Sequence, residues 1–249
     1  MCIRDSLPGR SGVGTGDLLN LALALLSAGL LILTFPRFDV TWLAPLALAP
    51  LLVAVARQPR LLRRFLLGWL AGTVYWCGTC YWIQFVLHQH GGLGLAASWA
   101  TFALFAVTKG LHLGVFAALA GIVMRRWWAV VAAPALWVAV ERTHGPLGFA
   151  WLALGNAGAD MGVPMRLAPY IGVYGLSFVF AMLGTALALV ALRRSRRQLV
   201  WLLLLPLLYL LPRLPQAARG SERAVLVQPN ISESAEWTEE WAQRMHQRL

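Results

Sequence analysis

Long apolar runs alternate along this chain with short, arginine-rich breaks. The runs at 18–34, 40–56, 65–87, 93–124, 127–140, 168–192 and 199–211 predict about seven transmembrane helices. A span needs about 20 apolar residues to cross the hydrocarbon. The fifth and seventh runs are therefore short, and the fourth is long enough to tilt or to extend beyond the bilayer. Pro45, Pro50, Pro134 and Pro206 fall inside runs, which lipid tolerates where neighbours satisfy the freed carbonyls. Residues 1–16 are polar and rich in Gly and Ser, and read as a leader outside the fold. The first run continues past any small-residue cleavage site, so it reads as a retained helix.

The breaks assign the sides. Arg57, Arg60, Arg63 and Arg64 follow the second run, Arg125 and Arg126 the fourth, and Arg193, Arg194, Arg196 and Arg197 the sixth. With Arg4 and Arg10 they make twelve basic residues on one side, against Arg37, Arg142 and Arg166 on the other. The positive-inside rule makes the richer side cytoplasmic. An odd number of spans then delivers everything after residue 212 to the outer face.

Two segments break the pattern. The connection 141–167 is too apolar for a free loop and too interrupted for a span, and predicts a re-entrant or surface-lying segment lining a cavity. After residue 220 the composition shifts to a β-prone run at 224–227, a loop at 228–234 and helical spacing at 235–249. Strand, loop, helix is how an α/β domain opens. The domains expected are thus a helical membrane domain at 17–212 and the beginning of an extramembrane domain at 222–249.

Composition agrees with a membrane protein. Of 249 residues 59% are hydrophobic and 12% charged, with a mean hydropathy of +0.66. The net charge of +11 comes almost wholly from arginines between apolar runs rather than on one amphipathic face, so it argues for topology and against nucleic acid.

Candidate chemistry is sparse. Cys77 and Cys80 form a C-x-x-C inside an apolar run, where small packing residues are the simpler reading. His88 and His90 lack a third ligand near in sequence, so no metal is expected. Lys109, the sole lysine, lies mid-run with His112 one turn on. A bare ammonium there costs roughly 3 kcal/mol. It either meets a lipid phosphate or other polar group in an internal cavity, or snorkels past a bent helix. Glu141-Arg142 closes the fifth run, as an ion pair or as a headgroup contact. Trp82, Trp99, Trp127, Trp128, Trp137 and Trp151 read by default as interfacial or packing tryptophans. No catalytic motif of known spacing stands in the chain.

Five stretches, in this order, resemble the bacterial apolipoprotein N-acyltransferases: FPRFDVTWLAPLALAPLL (35–52), FLLGWLAGTVYWCGTCYWIQFVLHQHGGL (65–93), APALWVAVERTHGPLGFAWLALGNA (133–157), LAPYIGVYGLSFVFAMLGTALAL (167–189) and AVLVQPNISESAEW (224–237). Gly68, Trp82, Gly91 and Gly92 match the family's pattern. The chain has Phe149-Ala150-Trp151 where the family usually has Phe-Pro-Trp.

The resemblance implies a fold class: an all-α polytopic membrane domain of about seven transmembrane helices, followed by the opening strand and helix of an α/β nitrilase-like domain. It implies an enzyme of the bacterial inner membrane, N-terminus cytoplasmic and C-terminal domain periplasmic. Such an enzyme takes an acyl chain from a membrane phospholipid onto a cysteine, as a thioester. It passes that chain to the N-terminal diacylglyceryl-cysteine of an apolipoprotein, as a monomer and without a cofactor. The family's Glu-Lys-Cys set belongs to the nitrilase-like domain, beyond Leu249, so no catalytic residue and no activity are expected of residues 1–249 alone. For the substrate or lipid cavity the expected residues are Trp82, Gly91, Gly92, Lys109, Glu141 and Trp151. The rival readings are a non-catalytic scaffold and a small-molecule transporter, which would make Lys109 part of a substrate path.

Overall fold

The computed structural model describes residues 14–145, 150–208, 210–212, 225 and 238–246. The chain divides into two units, Met1–Arg213 and Leu214–Leu249. Among the described residues regular structure is wholly helical. Of the strand expected at 224–227 only Val225 is described, and it is exposed and outside regular structure; most of the leader lies outside the described residues.

Helix α1 (Thr15–Thr34) opens with Asp17 in its first turn and ends before Pro36, which has no N–H to continue it. The second expected span is broken into a 3₁₀ turn, Thr41–Leu43, and two helices, α2 (Ala44–Ala47) and α3 (Ala49–Arg57), each with a proline in its first turn. Pro50 cannot bond the carbonyl one turn back, so the helix restarts there. Ser27 of α1 donates to the Ala47 carbonyl at 2.5 Å and satisfies backbone at that break.

The third expected span is also divided. Cys80 leaves helical geometry (φ −112°, ψ 20°) between α4 (Leu61–Thr79) and α5 (Trp82–Gln89). Helix α6 (Leu95–Val123) follows and packs along α4. The two backbones meet through glycines. A Cβ on Gly72 would stand 2.8 Å from the Gly110 carbonyl oxygen, and one on Gly110 would stand 2.9 Å from that of Trp69. Gly72 faces Gly110, while Gly68 meets Leu113 and Ala117 and Gly114 meets the Phe65 ring; on each helix the two glycines are spaced as Gly-x-x-x-Gly, the arrangement that brings helices close in lipid. The Trp69 indole donates across the joint to the Val107 carbonyl at 2.9 Å.

Around α6 the sides differ. Phe102, Ala106, Leu113, Phe116, Ala117 and Ala120 are buried, whereas Leu104, Val107, Leu111, Val115, Leu119 and Ile122 form an exposed apolar stripe. Water would not support such a stripe; lipid does. Helices α1, α6 and α8 (Gly162–Ala191) are each long and apolar enough to cross a membrane, with mean hydropathies of 2.0, 1.7 and 2.1.

Helix α7 (Ala129–Arg142) and two 3₁₀ stretches, Ala150–Leu152 and Leu154–Asp160, lead into α8. Helix α8 begins six residues earlier than the apolar run suggests. It is interrupted at Gly172, whose φ of 62° and ψ of −175° leave the helical region. In place of one long seventh helix the chain forms 3₁₀ turns at Arg196–Leu203 and a short α9 (Leu204–Leu208). Pro206 removes the donor that would close a continuous helix there. Beyond α9, the Leu211 carbonyl accepts from Arg166 at 3.3 Å and that of Pro212 from the Tyr170 hydroxyl. The segment thus runs from the last turn of α8 back to its first turns. In the second unit, α10 (Glu239–His246) is started by Thr238, whose Oγ1 accepts the Trp241 N–H at 3.3 Å.

The arginine-rich breaks gather at one end. Asp17 pairs with Arg63 at 3.2 Å and accepts from Gln58 at 3.0 Å. Buried Arg64 caps α3 by donating to the Gln58 carbonyl at 2.7 Å and is near enough to Arg125 to feel its charge. Trp127 and Trp201 stack at 5.7 Å and bring the turn before α7 beside the turn after α8.

Candidate functional site

At the other end of the bundle lies a cavity of about 300 Å³. Its walls are the end of α1 (Thr34, Phe35, Pro36) and the 3₁₀ stretches after α7 (Trp151, Ala157), and its polar rim is Asp39, Asn156 and Asp160. Asp39 holds a left-handed φ of 53°, which presents it at the turn after α1. Trp151 is half exposed, and its carbonyl accepts from Asn156 Nδ2 at 2.5 Å. Trp82, the first residue of α5, meets Trp151 with ring centroids 6.4 Å apart. Trp82 thus touches the cavity wall at Trp151 without lining the cavity itself.

Glu141 is placed differently from its neighbour. Arg142 lies over the Tyr174 ring at 4.9 Å, so the two do not pair. Glu141 is 3% exposed. Its Oε1 accepts from Trp137 Nε1 at 3.1 Å and from the Leu154 backbone N–H at 2.6 Å. Next along, Gly155 donates to Ser177 Oγ of α8 at 2.7 Å. The carboxylate therefore fastens the Leu154–Asp160 stretch, one wall of the cavity, onto α7. Trp137, expected as an interfacial or packing residue, is buried as its partner.

Lys109 lies inside the bundle, 5% exposed, with its ammonium 4.8 Å from the centre of the Trp76 ring. His112 lies 4.4 Å from His144, ring to ring, and Trp76 also meets His144 edge-on at 5.4 Å. His144 follows α7; burial, then the charges of Lys109 and His112, lower its pKa to about 3, so it is neutral at neutral pH. An aromatic row leads from the cavity wall to this cluster: Phe35 to Tyr75 at 6.0 Å, Tyr75 to Trp76 at 5.4 Å.

Gly91 and Gly92 stand apart from the cavity and from Lys109, in the turn between α5 and α6. Gly91 donates to the Val86 carbonyl at 3.0 Å, and a Cβ on it would meet the Leu87 carbonyl at 2.7 Å. Gly92 has a φ of 67°. They close α5 as glycines close helices generally. His88 and His90 serve the same turn: His88 Nδ1 is 2.8 Å from the Leu93 carbonyl, and His90 packs edge-on to Phe85 at 6.3 Å. Among the described residues no three His, Cys, Asp or Glu side chains gather as metal ligands would.

Sequence reasoning missed the acidic rim and His144. Asp39 and Asp160 are 121 positions apart, and no local spacing joins them.

Residues 27–186 match the model of the apolipoprotein N-acyltransferase N-terminal domain. The chain belongs to the apolipoprotein N-acyltransferase family. The apolipoprotein N-acyltransferase of Geobacter metallireducens is 31% identical over 231 residues, covering 86% of this chain and 44% of the relative. That of Shewanella oneidensis is 34% identical over 176 residues, 64% of this chain and 32% of the relative. That of Verminephrobacter eiseniae is 36% identical over 152 residues, 57% of this chain and 27% of the relative. The chain spans less than half the length of each of these acyltransferases. The stretch matched to the family includes Trp82, Gly91, Gly92, Lys109, Glu141 and Trp151.

Proposed function

We propose that residues 14–212 are the membrane-embedded part of an N-acyltransferase that moves an acyl chain from a phospholipid to the N-terminal diacylglyceryl-cysteine of lipoproteins. The observation that carries this reading is the cavity beside Trp151 and Trp82. It lies within the family-matched stretch, at the end of the bundle away from the arginines. An aromatic wall suits acyl chains and glyceryl esters, and a carboxylate rim suits the acceptor's α-ammonium on arrival, which must lose a proton before the amine can be acylated.

The proposed topology is seven crossings of the bacterial inner membrane. Three findings support it: the convergence of the arginine-rich breaks at one end, the exposed apolar stripe of α6, and the return of Leu211 and Pro212 to the first turns of α8. By the positive-inside rule the arginine end faces the cytoplasm, so the cavity opens to the outer leaflet and residues 222–249 begin a periplasmic nitrilase-like domain.

The chemistry is assigned to a cysteine thioester, made by a thiolate with a glutamate as base and a lysine at the oxyanion. Cys77 and Cys80 are not that nucleophile in this reading. They sit within and at the end of α4, one half-buried and one buried. The membrane part contributes the anchor and the lipid-facing entrance.

A chimera tests this. Residues 14–212 replace the corresponding part of the Geobacter metallireducens enzyme, and acyl transfer to a diacylglyceryl lipopeptide is followed in phospholipid vesicles. Transfer that is lost when Asp39 and Asp160 become Asn together, in a chimera that still folds, supports the reading. A folded chimera without transfer, or transfer indifferent to that change, overturns it.

A further inference from the structure

The arginine end of the bundle holds a second cavity, of about 220 Å³, where the chain turns from α8 into the 3₁₀ stretch Arg196–Leu203. Its floor is apolar, formed by Leu189, Val190 and Leu199, and its rim is Arg193, Arg194, Arg196 and Ser195. The local backbone explains the crowding. Helix α8 closes with Arg194 donating to the Leu189 carbonyl at 2.9 Å, across Arg193 at a left-handed φ of 53°. That position is ordinarily a glycine, yet an arginine occupies it. Ser195 Oγ then accepts the Arg197 N–H at 3.4 Å and starts the next segment. The turn is thereby folded tightly enough to gather neighbouring arginines around one hollow.

Among the described residues no carboxylate pairs with Arg193, Arg194 or Arg196. Asp17, at the same end, is taken by Arg63. Three like charges around a hollow repel unless an anion lies between them. The stacked Trp127 and Trp201, of which Trp127 is 66% exposed, mark the depth of the lipid headgroups beside it.

We propose that this hollow binds the phosphodiester of an anionic membrane phospholipid. Guanidiniums match phosphate oxygens in pairs, and the apolar floor takes the glycerol backbone and the first methylenes of the acyl chains. A zwitterionic lipid brings an ammonium that the arginines repel. The site is at the opposite end of the bundle from the cavity beside Trp151, and it rests on the pocket and the membrane setting, not on the acyl-transfer reading.

The test is native mass spectrometry of the whole 249-residue chain in detergent micelles, titrated separately with dioleoylphosphatidylglycerol, dioleoylphosphatidylcholine and inorganic phosphate. The expected result is one tightly held phosphatidylglycerol. The paired change Arg194→Gln and Arg196→Gln weakens it about tenfold, whereas Arg57→Gln and Arg60→Gln, the same loss of charge at another break, changes it less than about twofold. Arg196→Gln alone, whose side chain carries no part of the turn, gives an intermediate loss and serves if the paired variant fails to fold. Equal weakening by the two paired variants makes the effect general surface charge and overturns the proposal. So does tight phosphatidylcholine binding at the same arginines, or inorganic phosphate displacing the lipid at equal concentration.

Discussion

The Glu141 carboxylate accepts the Leu154 backbone N–H at 2.6 Å, thirteen residues further along the chain. One side chain thus holds the wall of the cavity beside Trp151 to helix α7. Glu141→Ala removes the acceptor from two buried donors, Trp137 Nε1 and the Leu154 N–H. The expected loss is about 2 to 4 kcal/mol, read by equilibrium unfolding in mixed micelles. Limited proteolysis should cut first between 150 and 160. Glu141→Gln keeps one carbonyl oxygen and should lose roughly 1 kcal/mol.

The α4–α6 joint is the next point of failure. Gly72→Leu would force a side chain into the Gly110 backbone, where a Cβ already meets the carbonyl oxygen at 2.8 Å. A loss of about 2 to 3 kcal/mol is expected in the same unfolding assay. Gly29→Ala on α1, where nothing lies within 4 Å of the new Cβ, should stay within about 0.5 kcal/mol of the parent.

Lys109→Met removes a buried ammonium and its contact with the Trp76 ring. Burial of the charge costs roughly 3 kcal/mol and the ring returns about 2 kcal/mol, so stability should be unchanged or slightly higher. If Lys109 serves substrate passage, the chimeric enzyme carrying Lys109→Met should lose at least tenfold in acyl transfer while its unfolding midpoint holds. Unchanged transfer would leave Lys109 a packing residue.

Gly92→Ala adds no clash but forces a side chain to a φ of 67°. The cost should be about 1 to 2 kcal/mol, confined to the turn. Hydrogen exchange should quicken in residues 82–95 and nowhere else.

Trp82 and Trp151 should couple. Their rings lie 6.4 Å apart, and pairs of this kind contribute about 0.5 to 1.5 kcal/mol beyond their burial. A double-mutant cycle with alanine at each position, read by unfolding, should return a coupling in that range. A coupling near zero would separate α5 from the cavity wall.

What the sequence made legible, and what it did not, has a physical cause. Apolar runs and arginine breaks locate helices because the membrane imposes length and charge on every span alike. Hence α6 agrees with its run to within two residues at either end. The same apolarity hides interruptions. Pro45 and Pro50 were visible as residues in a span, but that the chain restarts twice there depends on Ser27 reaching the Ala47 carbonyl from another helix. The departures at Cys80 and Gly172 sit in unbroken apolar sequence and leave no mark in it. The expectation of Trp82 and Trp151 at a cavity was legible in the family's pattern and in the Phe-Ala-Trp departure from it. The duty of Glu141 toward Leu154 was not, because its partner is a backbone N–H, and every residue but proline offers one.

Helix α5 buries none of its side chains, although it joins the two most tightly fitted helices of the bundle. Helices α4 and α6 meet at their backbones, with glycine against carbonyl, and have no slack to yield. An eight-residue helix seated on such a joint while holding little of its own can swing at small cost. Motion beside the cavity should therefore appear first in α5 and strain the contact of Trp82 with Trp151, while α4 and α6 stay still.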